Sequence, residues 1–525
     1  MPASRLPTRT LLAALSVAVL TLTTTACSDT GSNGPENSGG PGGTLTTQFA
    51  GIPISLNPAL GGSGGSAIFT ALAYDSLIHQ TGDGELIPDL ATAWSFDPTN
   101  TVLTLTLRQG VKFSDGAPLD AAAVKASLEY FLSAGGGDLR YAGPVASVEA
   151  PSADTVVITY KTPYPDGPYY LTQYWGVGQV IGPKGLADPD SLLTATDGTG
   201  PYTYSASKSV TNSSYTYEKN PGYFAPEAQQ YDSVVVKVIG DPSASLSAVT
   251  TGQVSFAGLT PTTAVSAKSS GLKLVTAPFF TWGLTVADHQ GTLVPALANP
   301  DVRQAMALAL DRDALASALG ADYNQANGQL TAEGVDGHLD GYGFTQDLAE
   351  AKSLMASAGY PDGFTLPVLT ENVLDNQTTI SQAMAGDLAK IGVKVELVVK
   401  NTVPDFIQAA LSKQYPVLVW PVIGSTSAQV LANFVQPGVT DPFGTADPTL
   451  TALYAQAQAA SGADRTAVFE QITKASNEAA WFIPAVSTDN VFAVDADLQN
   501  VTASALNPNP LPVSPDPRYA WKSAE

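Results

Sequence analysis

The stretch TTISQAMAGDLAKIGVKVELVV, residues 378–399, decides the fold class. Its apolar residues first recur at helical spacing, at Ile380, Met384, Leu388 and Ile391. Gly392 then ends the helix, because glycine adopts the left-handed conformation of a helix C-terminus at little cost. Apolar residues next alternate as in a strand, at Val393, Val395 and Leu397. A helix joined to a strand through one glycine predicts an α/β sheet.

Further helices are predicted around this unit. NPDVRQAMALALDRDAL, residues 299–315, carries apolar residues at helical spacing. DLAEAKSLMASAGYPDGF, residues 347–364, begins at the capping residue Asp347 and stops at Gly359. Helix–strand units therefore dominate the second half of the chain.

Strands dominate the first half. TVLTLTL at residues 101–107 and DTVVITY at residues 154–160 alternate with the period of two that a half-buried strand shows. Residues 202–220 carry a polar turn around Asn212 and are predicted to form a hairpin.

The charge balance excludes one class of function. The 525 residues contain 24 basic and 47 acidic side chains, a net charge of −23. Nucleic-acid binding is therefore not expected, because phosphate contacts need clustered Lys and Arg. Three histidines leave little for a metal site or for histidine-based catalysis, so no metal and no cofactor is predicted.

The N-terminus has the layout of a secretory signal peptide, predicted as residues 1–26. Arg5 and Arg9 give a basic start, and the uncharged apolar run TLLAALSVAVLTL follows at residues 10–22. That run is shorter than the roughly 20 residues that a membrane-spanning helix needs. The protein is therefore predicted to be exported.

The one cysteine of the chain, Cys27, follows this segment directly. A single cysteine excludes a disulfide framework. The residues Thr24–Cys27 resemble a bacterial lipobox, which implies a lipid-modified Cys27 as the mature N-terminus. Ordinary cleavage that leaves a free thiol is the alternative. Residues 27–43 are rich in Gly, Ser, Pro and Asn and are predicted to form a flexible linker.

An ordered set of segments resembles the solute-binding proteins of bacterial ABC importers, of the dipeptide, oligopeptide and nickel-binding family. The segments are ALAYDSLIHQTGDGELIPDLATAWSF (71–96), LTLRQGVKFSDGAPLDAAAVKASLEYF (105–131), GTGPYTY (198–204), YEKNPGYF (217–224), DPSASLSAVTTGQVSFAGL (241–259), NPDVRQAMALALDRDAL (299–315), AKSLMASAGYPDGF (351–364) and LAKIGVKVEL (388–397). Together they cover about residues 44–490.

The resemblance implies a two-lobed fold of the periplasmic-binding-protein type II class, which closes on a ligand as a trap. Lobe I is expected at residues 44–278 and 484–525, with an inserted β-rich subdomain at about 83–195, and lobe II at residues 279–483. The chain would cross between the lobes near APFFTWG (277–283) and AWFIPAVSTDN (480–490), which are apolar and β-like.

The function that the resemblance implies is that of a monomeric receptor, lipid-anchored on the outer face of the cell membrane. It would deliver a peptide or peptide-like ligand to an ABC permease in that membrane and would need no catalytic residue. A sugar or other non-peptide receptor and a sensory binding module are alternatives. GGSGG around Ser63 also fits the G-x-S-x-G hydrolase pattern, so a secreted serine hydrolase is a fourth hypothesis.

Candidate ligand contacts come from three segments. In peptide-binding members, the segment that corresponds to LVWPVIGSTSAQV (418–430) carries an Asp for the peptide ammonium group, and no acid stands near Gly424 here. Trp420 and Ser425 are candidates in this segment, Tyr174 and Trp175 in residues 169–180, and Phe280 and Trp282 in residues 277–283. For the aromatic residues, packing in the protein core is the alternative.

The lipid prediction can be tested by mass. We expect intact-mass measurement of the membrane-extracted protein to show a chain that begins at Cys27 and carries a diacylglyceryl adduct on its thiol. Cys27→Ser should release the protein from the membrane fraction. A bare thiol on Cys27 in the extracted protein would mean simple secretion instead.

Overall fold

The structure is a computed structural model that describes residues 42–524 except Ala321, Asp375, Pro437 and Ala446. The predicted signal peptide, Cys27 and the linker up to residue 41 lie outside the described residues. Among the helices of the described part, none is long and apolar enough to cross a bilayer.

Nineteen strands are found in the described residues, and eleven of them form one sheet. The strands are β1 Thr44–Phe49, β2 Ile78–Gln80, β3 Leu86–Pro88, β4 Ala91–Phe96, β5 Val102–Leu107, β6 Val145–Ser152, β7 Thr155–Tyr160, β8 Tyr202–Tyr204, β9 Ser214–Lys219, β10 Ser233–Val238, β11 Phe256–Leu259, β12 Lys273–Val286, β13 Asn324–Ala326, β14 Thr365–Glu371, β15 Lys394–Lys400, β16 Val417–Val419, β17 Phe482–Val494, β18 Leu498–Gln499 and β19 Lys522–Ser523. The large sheet has the order β15-β14-β16-β12-β17-β11-β1-β10-β9-β8, and β13 pairs with β17.

Fourteen α-helices accompany these strands in the described residues. They are α1 Ile68–Ala71, α2 Ala121–Ala134, α3 Gly167–Tyr170, α4 Pro183–Ala187, α5 Pro242–Thr250, α6 Pro261–Ser269, α7 Pro300–Ala309, α8 Arg312–Leu319, α9 Leu348–Ser357, α10 Gln377–Ala389, α11 Val403–Leu411, α12 Ser427–Val435, α13 Pro448–Ala459 and α14 Gly462–Ala479. The side chain of Asp347 caps α9 by accepting hydrogen bonds from Ala349 N and Glu350 N, as predicted.

The helix–glycine–strand unit is confirmed. The predicted helix face of α10 is buried, Gly392 adopts a φ of +84°, and β15 follows it. β15 pairs in parallel with β14. A parallel pair needs a crossover connection, and α10 provides it, which is the arrangement of an α/β sheet.

Two large hydrophobic cores lie on either side of the junction of the large sheet. The first core draws residues from Leu45 to Phe256 and again from Val494 to Trp521, so both parts of the chain that flank the middle contribute to it. The second core draws residues from Trp282 to Val486. We call the bodies around these cores lobe I and lobe II. The residue boundaries given above stay predictions.

Two long antiparallel strands join the lobes. β12 and β17 pair from Lys273↔Val494 in lobe I to Thr285↔Phe482 in lobe II. The predicted crossing segment 277–283 lies within β12, and β17 contains residues 482–490 of the other. The register shifts between Pro278 and Phe280 and between Trp282 and Gly283. Such bulges bend a strand and increase its twist, so the ladder is irregular where it enters lobe II.

Lobe I also carries a separate antiparallel sheet of four strands in the order β4-β5-β7-β6. One face of β5 is buried through Leu103, Leu105 and Leu107, as the alternation predicted. α2 packs against β6 and β7 and begins at Asp120, whose carboxylate accepts a hydrogen bond from Ala123 N. The loop between β4 and β5 contacts lobe II, since Nδ2 of Asn100 donates to the carbonyls of Gln458 and Ala459.

A buried arginine holds lobe II together from within. Arg312 donates from Nε to the carbonyls of Asn327 and Pro484, and from Nη1 to those of Ala307 and Leu310. Burial lowers the pKa of Arg312 to about 10, which leaves the guanidinium charged at neutral pH. Its hydrogen bonds therefore tie α7, α8, the loop after β13 and β17 to one point.

We expect Arg312→Met to lower the free energy of unfolding by about 3 kcal/mol, because it leaves several buried carbonyls without a donor. Chemical denaturation monitored by circular dichroism measures this change. Arg518→Met is the matched control, since that side chain is 75% exposed and should contribute less than about 1 kcal/mol. Equal effects of the two substitutions would contradict the role given to Arg312.

Candidate functional site

The junction strands place two of the predicted contacts side by side. Phe280 is half-buried on β12, and its ring lies 5.5 Å from the indole of Trp282. Trp282 is 2% exposed and belongs to the core of lobe II. In this conformation Phe280 is therefore more accessible to solvent than Trp282, and the buried indole of Trp282 packs against the Phe280 ring. A direct ligand contact by either residue stays a prediction.

The segment after β16 contains Trp420. Its indole is half-buried and stacks on Phe406 of α11, with ring centroids 4.7 Å apart and an interplanar angle of 15°. One face of the indole is thus occupied by lobe II itself. Two residues further on, Val422 exchanges backbone hydrogen bonds of 2.9 Å with Thr281 of β12, which fixes the segment beside the junction strands.

Residues 420–425 offer no carboxylate in the structure either. The side chain with the greatest exposure among the large apolar residues of this segment is Ile423, at 43%. An exposed isoleucine beside a half-buried tryptophan favours an apolar contact on this wall of lobe II.

Ser425 connects this wall to lobe I. Its hydroxyl lies 3.2 Å from the hydroxyl of Tyr169 and 3.2 Å from the carbonyl oxygen of Leu506, and its single proton is shared between these two acceptors. Its backbone N–H donates to Oε1 of Gln429 on α12 at 2.8 Å. Tyr169 and Leu506 both belong to lobe I, so Ser425 lies where the two lobes meet.

Tyr169 is part of an aromatic cluster in lobe I, which we define as Tyr141, Tyr169, Tyr170 and Trp175. The ring of Trp175 lies 4.2 Å from that of Tyr141, 5.7 Å from that of Tyr169 and 5.1 Å from that of Tyr170. The indole Nε1 of Trp175 is buried and has no hydrogen-bond acceptor. The rings of the cluster therefore pack against one another, and the indole N–H of Trp175 remains as a buried donor without an acceptor.

Tyr174 lies beside the cluster and is buried. Its hydroxyl accepts a hydrogen bond of 2.9 Å from Nδ2 of Asn507, and its carbonyl accepts one of 3.0 Å from Gly64 N. These bonds hold the glycine-rich loop of residues 61–65 and the segment of residues 506–509 against each other. In this conformation Tyr174 positions both segments, and its predicted ligand contact is untested.

The glycine-rich loop also carries Ser63, whose hydroxyl donates to Oδ1 of Asp138 at 3.3 Å. None of the three histidines of the chain bonds to Ser63. His289 contacts Val286 O and Thr445, His338 contacts Thr331 O and Gln329, and His79 lines a small polar cavity of about 20 Å³ under the C-terminal segment. The geometry gives Ser63 a carboxylate partner and no imidazole base.

Further polar contacts cross between the lobes away from the junction strands. Arg465 of α14 forms an ion pair of 2.8 Å with Asp166 of lobe I, and the two side chains are only 16% and 10% exposed. Nearby, Nδ2 of Asn100 donates to the carbonyls of Gln458 and Ala459 at the end of α13. The lobes are thus in direct contact at their rims in this structure.

Two carboxyl groups, one on the junction strand β17 and one in lobe I, have incomplete hydrogen bonding. Asp489, on β17 opposite Pro278, has no hydrogen-bond donor for its carboxylate among the described residues, and burial raises its pKa to about 6. Oδ2 of Asp138 is buried without a donor, and burial raises the pKa of this carboxyl group too. Sequence reasoning found neither group, since both are single acids in segments without a motif.

The structure brings Ser425 and Trp175 together through Tyr169 and places Phe280 on Trp282. Trp420 packs with Phe406 in a separate cluster of lobe II. Asp138, Asp166 and Arg465 were missed. In the described part of the chain, no group of three His, Cys, Asp or Glu side chains could hold a metal ion.

Comparison with known proteins places these features in a family. The model of the bacterial extracellular solute-binding proteins, family 5 Middle, matches residues 85–437. Among curated proteins, the glutathione-binding protein GsiB of Pectobacterium atrosepticum is 29% identical over 342 residues, which are 62% of this chain and 63% of the relative. The alignment thus spans slightly less than two thirds of that relative's length.

Solved structures share the fold. HbpA2 from Haemophilus parasuis matches with a TM-score of 0.77 and 22% identity over 89% of this chain and 98% of its own. The periplasmic binding protein DppA from Helicobacter pylori, in complex with the peptide STSA, matches with a TM-score of 0.73 and 20% identity over 92% of this chain and 98% of its own. These matches confirm the predicted two-lobed α/β fold of the periplasmic-binding-protein type II class.

The ion pair at the rim leads to a prediction about the conformation. We expect Arg465→Met to shift the ligand-free protein towards a more open form, because a nearly buried charged hydrogen bond contributes about 2 kcal/mol to lobe contact. Small-angle X-ray scattering should then give a larger radius of gyration. Lys208→Met, which removes an exposed ion pair within lobe I, is the control and should leave the radius unchanged. A radius that Arg465→Met does not alter would contradict this role.

Proposed function

Because the chain belongs to the bacterial extracellular solute-binding proteins of family 5, we propose that it is an extracytoplasmic receptor that delivers a ligand to an ABC importer. The observation that carries the proposal is the Ser425–Tyr169 contact, through which one lobe reaches the aromatic wall of the other. A ligand between these walls would touch both lobes. It would therefore stabilise the closed form more than the open one, which is the physical requirement for a conformational signal.

The proposed ligand is a peptide or a peptide-like compound. Support comes from relatives, since GsiB is described as glutathione-binding and DppA was solved with a peptide. A sugar or other non-peptide ligand is the second candidate, because residues 420–425 contain no acid for an ammonium group and do contain Trp420 and the exposed Ile423. We propose Trp420, Ser425, Phe280 and Trp175 as contacts, with Tyr174 and Trp282 supporting them.

The proposed setting of the receptor rests on the sequence. A lipid on Cys27 and the linker of residues 27–43 would keep the two lobes near the outer face of the cell membrane, within reach of a permease. We propose that the receptor acts as a monomer and breaks no bond, since the geometry gives Ser63 no base. A sensory module that reports to a membrane receptor is the alternative, and neighbouring permease genes would distinguish the two.

The receptor function is tested by the ligand that the protein carries. We expect small molecules released by denaturing the purified full chain to include one compound that, added back at 100 times its dissociation constant, stabilises the protein by about 2.7 kcal/mol. Mass spectrometry identifies the compound, and a thermal-shift titration measures the stabilisation. A protein that neither carries nor is stabilised by any compound would argue against a solute receptor.

The role of Trp420 is tested with the same compound. Trp420→Ala should weaken its affinity at least tenfold, because the substitution removes an aromatic surface that a ligand can cover. Phe364→Ala is a matched control, since this aromatic residue of lobe II packs at the core near Tyr360. Calorimetric titration of both variants measures the effect, and an affinity that Trp420→Ala leaves unchanged would remove Trp420 from the site.

A further inference from the structure

We propose that Asp138 of lobe I, next to the aromatic cluster, is the binding subsite for a positively charged nitrogen of the ligand. This inference rests on the proposed receptor function and adds the chemical class of one ligand group. It assigns to lobe I the acidic contact that residues 420–425 of lobe II do not provide.

The carboxylate of Asp138 has few hydrogen-bond partners. Oδ1 of Asp138 has one long hydrogen bond of 3.3 Å from Ser63, and Oδ2 is buried with no donor. An ionised carboxylate that is removed from water without partners costs several kcal/mol. Burial accordingly raises the pKa of Asp138. A cationic ligand group at Oδ2 would offset this cost, and the protein itself leaves that position unused.

Arg140, a cationic side chain close to Asp138 in the sequence, interacts with Tyr141 instead. Arg140 lies two residues after Asp138, and its Nη2 donates to the hydroxyl of Tyr141 at 2.7 Å. Its guanidinium also lies over the Tyr141 ring, 4.6 Å from the centroid. No ion pair within 4.0 Å joins it to Asp138 among the described residues. Arg140 therefore stabilises the ionised carboxylate of Asp138 only by a longer-range charge–charge attraction, without a direct ion pair.

Aromatic side chains lie next to Asp138. Tyr141 belongs to the same short helical turn as Asp138, and its ring contacts Trp175 at 4.2 Å. Aromatic faces attract cations through the negative potential of their π electrons, and they do so most strongly when water is excluded. The unused Nε1 donor of Trp175 adds a place for an oxygen of the same ligand. A carboxylate, aromatic rings and one donor together suit an ammonium group that has a carbonyl or carboxylate nearby.

The segments around Asp138 are fixed to the rest of lobe I. The loop that carries Ser63 is fixed to Tyr174 through Gly64 N, and Oδ1 of Asn509 lies 3.2 Å from the position that a Cβ on Gly65 would take. The far side of the aromatic cluster reaches lobe II through Tyr169 and Ser425. Asp138 is partly exposed but its Oδ2 is buried in this conformation, so binding of a ligand there requires a movement that exposes this oxygen. Closure would then enclose the charged group and exclude water from it.

The experiment compares ligands that differ only in this charge. Trialanine and glutathione, each with a free ammonium group, are titrated calorimetrically against their N-acetylated forms, with the full chain purified in detergent. We expect the wild-type protein to bind at least one free amine at least tenfold more tightly than its acetylated partner. Asp138→Asn should reduce that ratio to about one, and Asp138→Glu should restore part of it.

Asp489→Asn is the matched control, since Asp489 is another carboxyl group with incomplete hydrogen bonding whose pKa burial raises. It should keep the wild-type ratio. The proposal is overturned if Asp138→Asn keeps the ratio, if Asp489→Asn removes it, or if the wild type does not distinguish free from acetylated amines. Circular dichroism of each variant establishes that it is folded, and Asp138→Glu provides the test if Asp138→Asn is not.

The two proposals fail in different ways. A wild-type protein that carries a co-purified neutral compound and ignores both free amines overturns the Asp138 subsite and keeps the receptor. A protein that carries no compound and is stabilised by none overturns the receptor itself.

Discussion

The pairing of β12 with β17 is the constraint on which the rest of the structure depends. These two strands run from the core of lobe I into the core of lobe II, so each lobe is anchored at one end of the same ladder. Interior packing on both sides is dense and resists deformation. The register shift at Pro278/Phe280 lies between the residues of the two cores, and the shift at Trp282/Gly283 lies at the first core residue of lobe II. A relative movement of the lobes would therefore bend the ladder at these few residues.

Buried arginines within lobe II and the arginine between the lobes have different kinds of hydrogen-bond partner. Within lobe II, Arg303 and Arg312 donate hydrogen bonds to backbone carbonyls, whose positions are fixed by helices and strands. Nη2 of Arg312 is buried without an acceptor. Between the lobes, Arg465 meets Asp166, and each of these groups can exchange its partner for water. The first arrangement is permanent and the second is reversible. A two-lobed body needs both, because each lobe must stay rigid while their contact forms and breaks.

Local periodicity was sufficient to predict the fold class. The alternation of Leu103, Leu105 and Leu107 and the helical spacing in residues 378–391 both reflect burial of one face, which a sequence records directly. The site is less predictable, because it depends on pairs far apart in the chain. Tyr169 and Ser425 are 256 residues apart, and Asp166 and Arg465 are 299 residues apart. The aromatic residues between 169 and 175 are adjacent in the sequence, so their cluster was predictable. The position of Asp138 beside this cluster was not, because it depends on how distant segments pack.

The contribution of Trp521 to lobe I has a consequence for the order of events during synthesis. Its indole is buried against Phe256 with ring centroids 4.6 Å apart, and Leu511 and Val513 join the same core. The core of lobe II is complete in sequence at Val486, which is 35 residues before Trp521. During synthesis, all core residues of lobe II can therefore be present before lobe I is complete. The core of lobe I still lacks its residues from Val494 to Trp521 at that stage. Lobe I, whose first core residues are made before those of lobe II, is therefore the last lobe to complete its core.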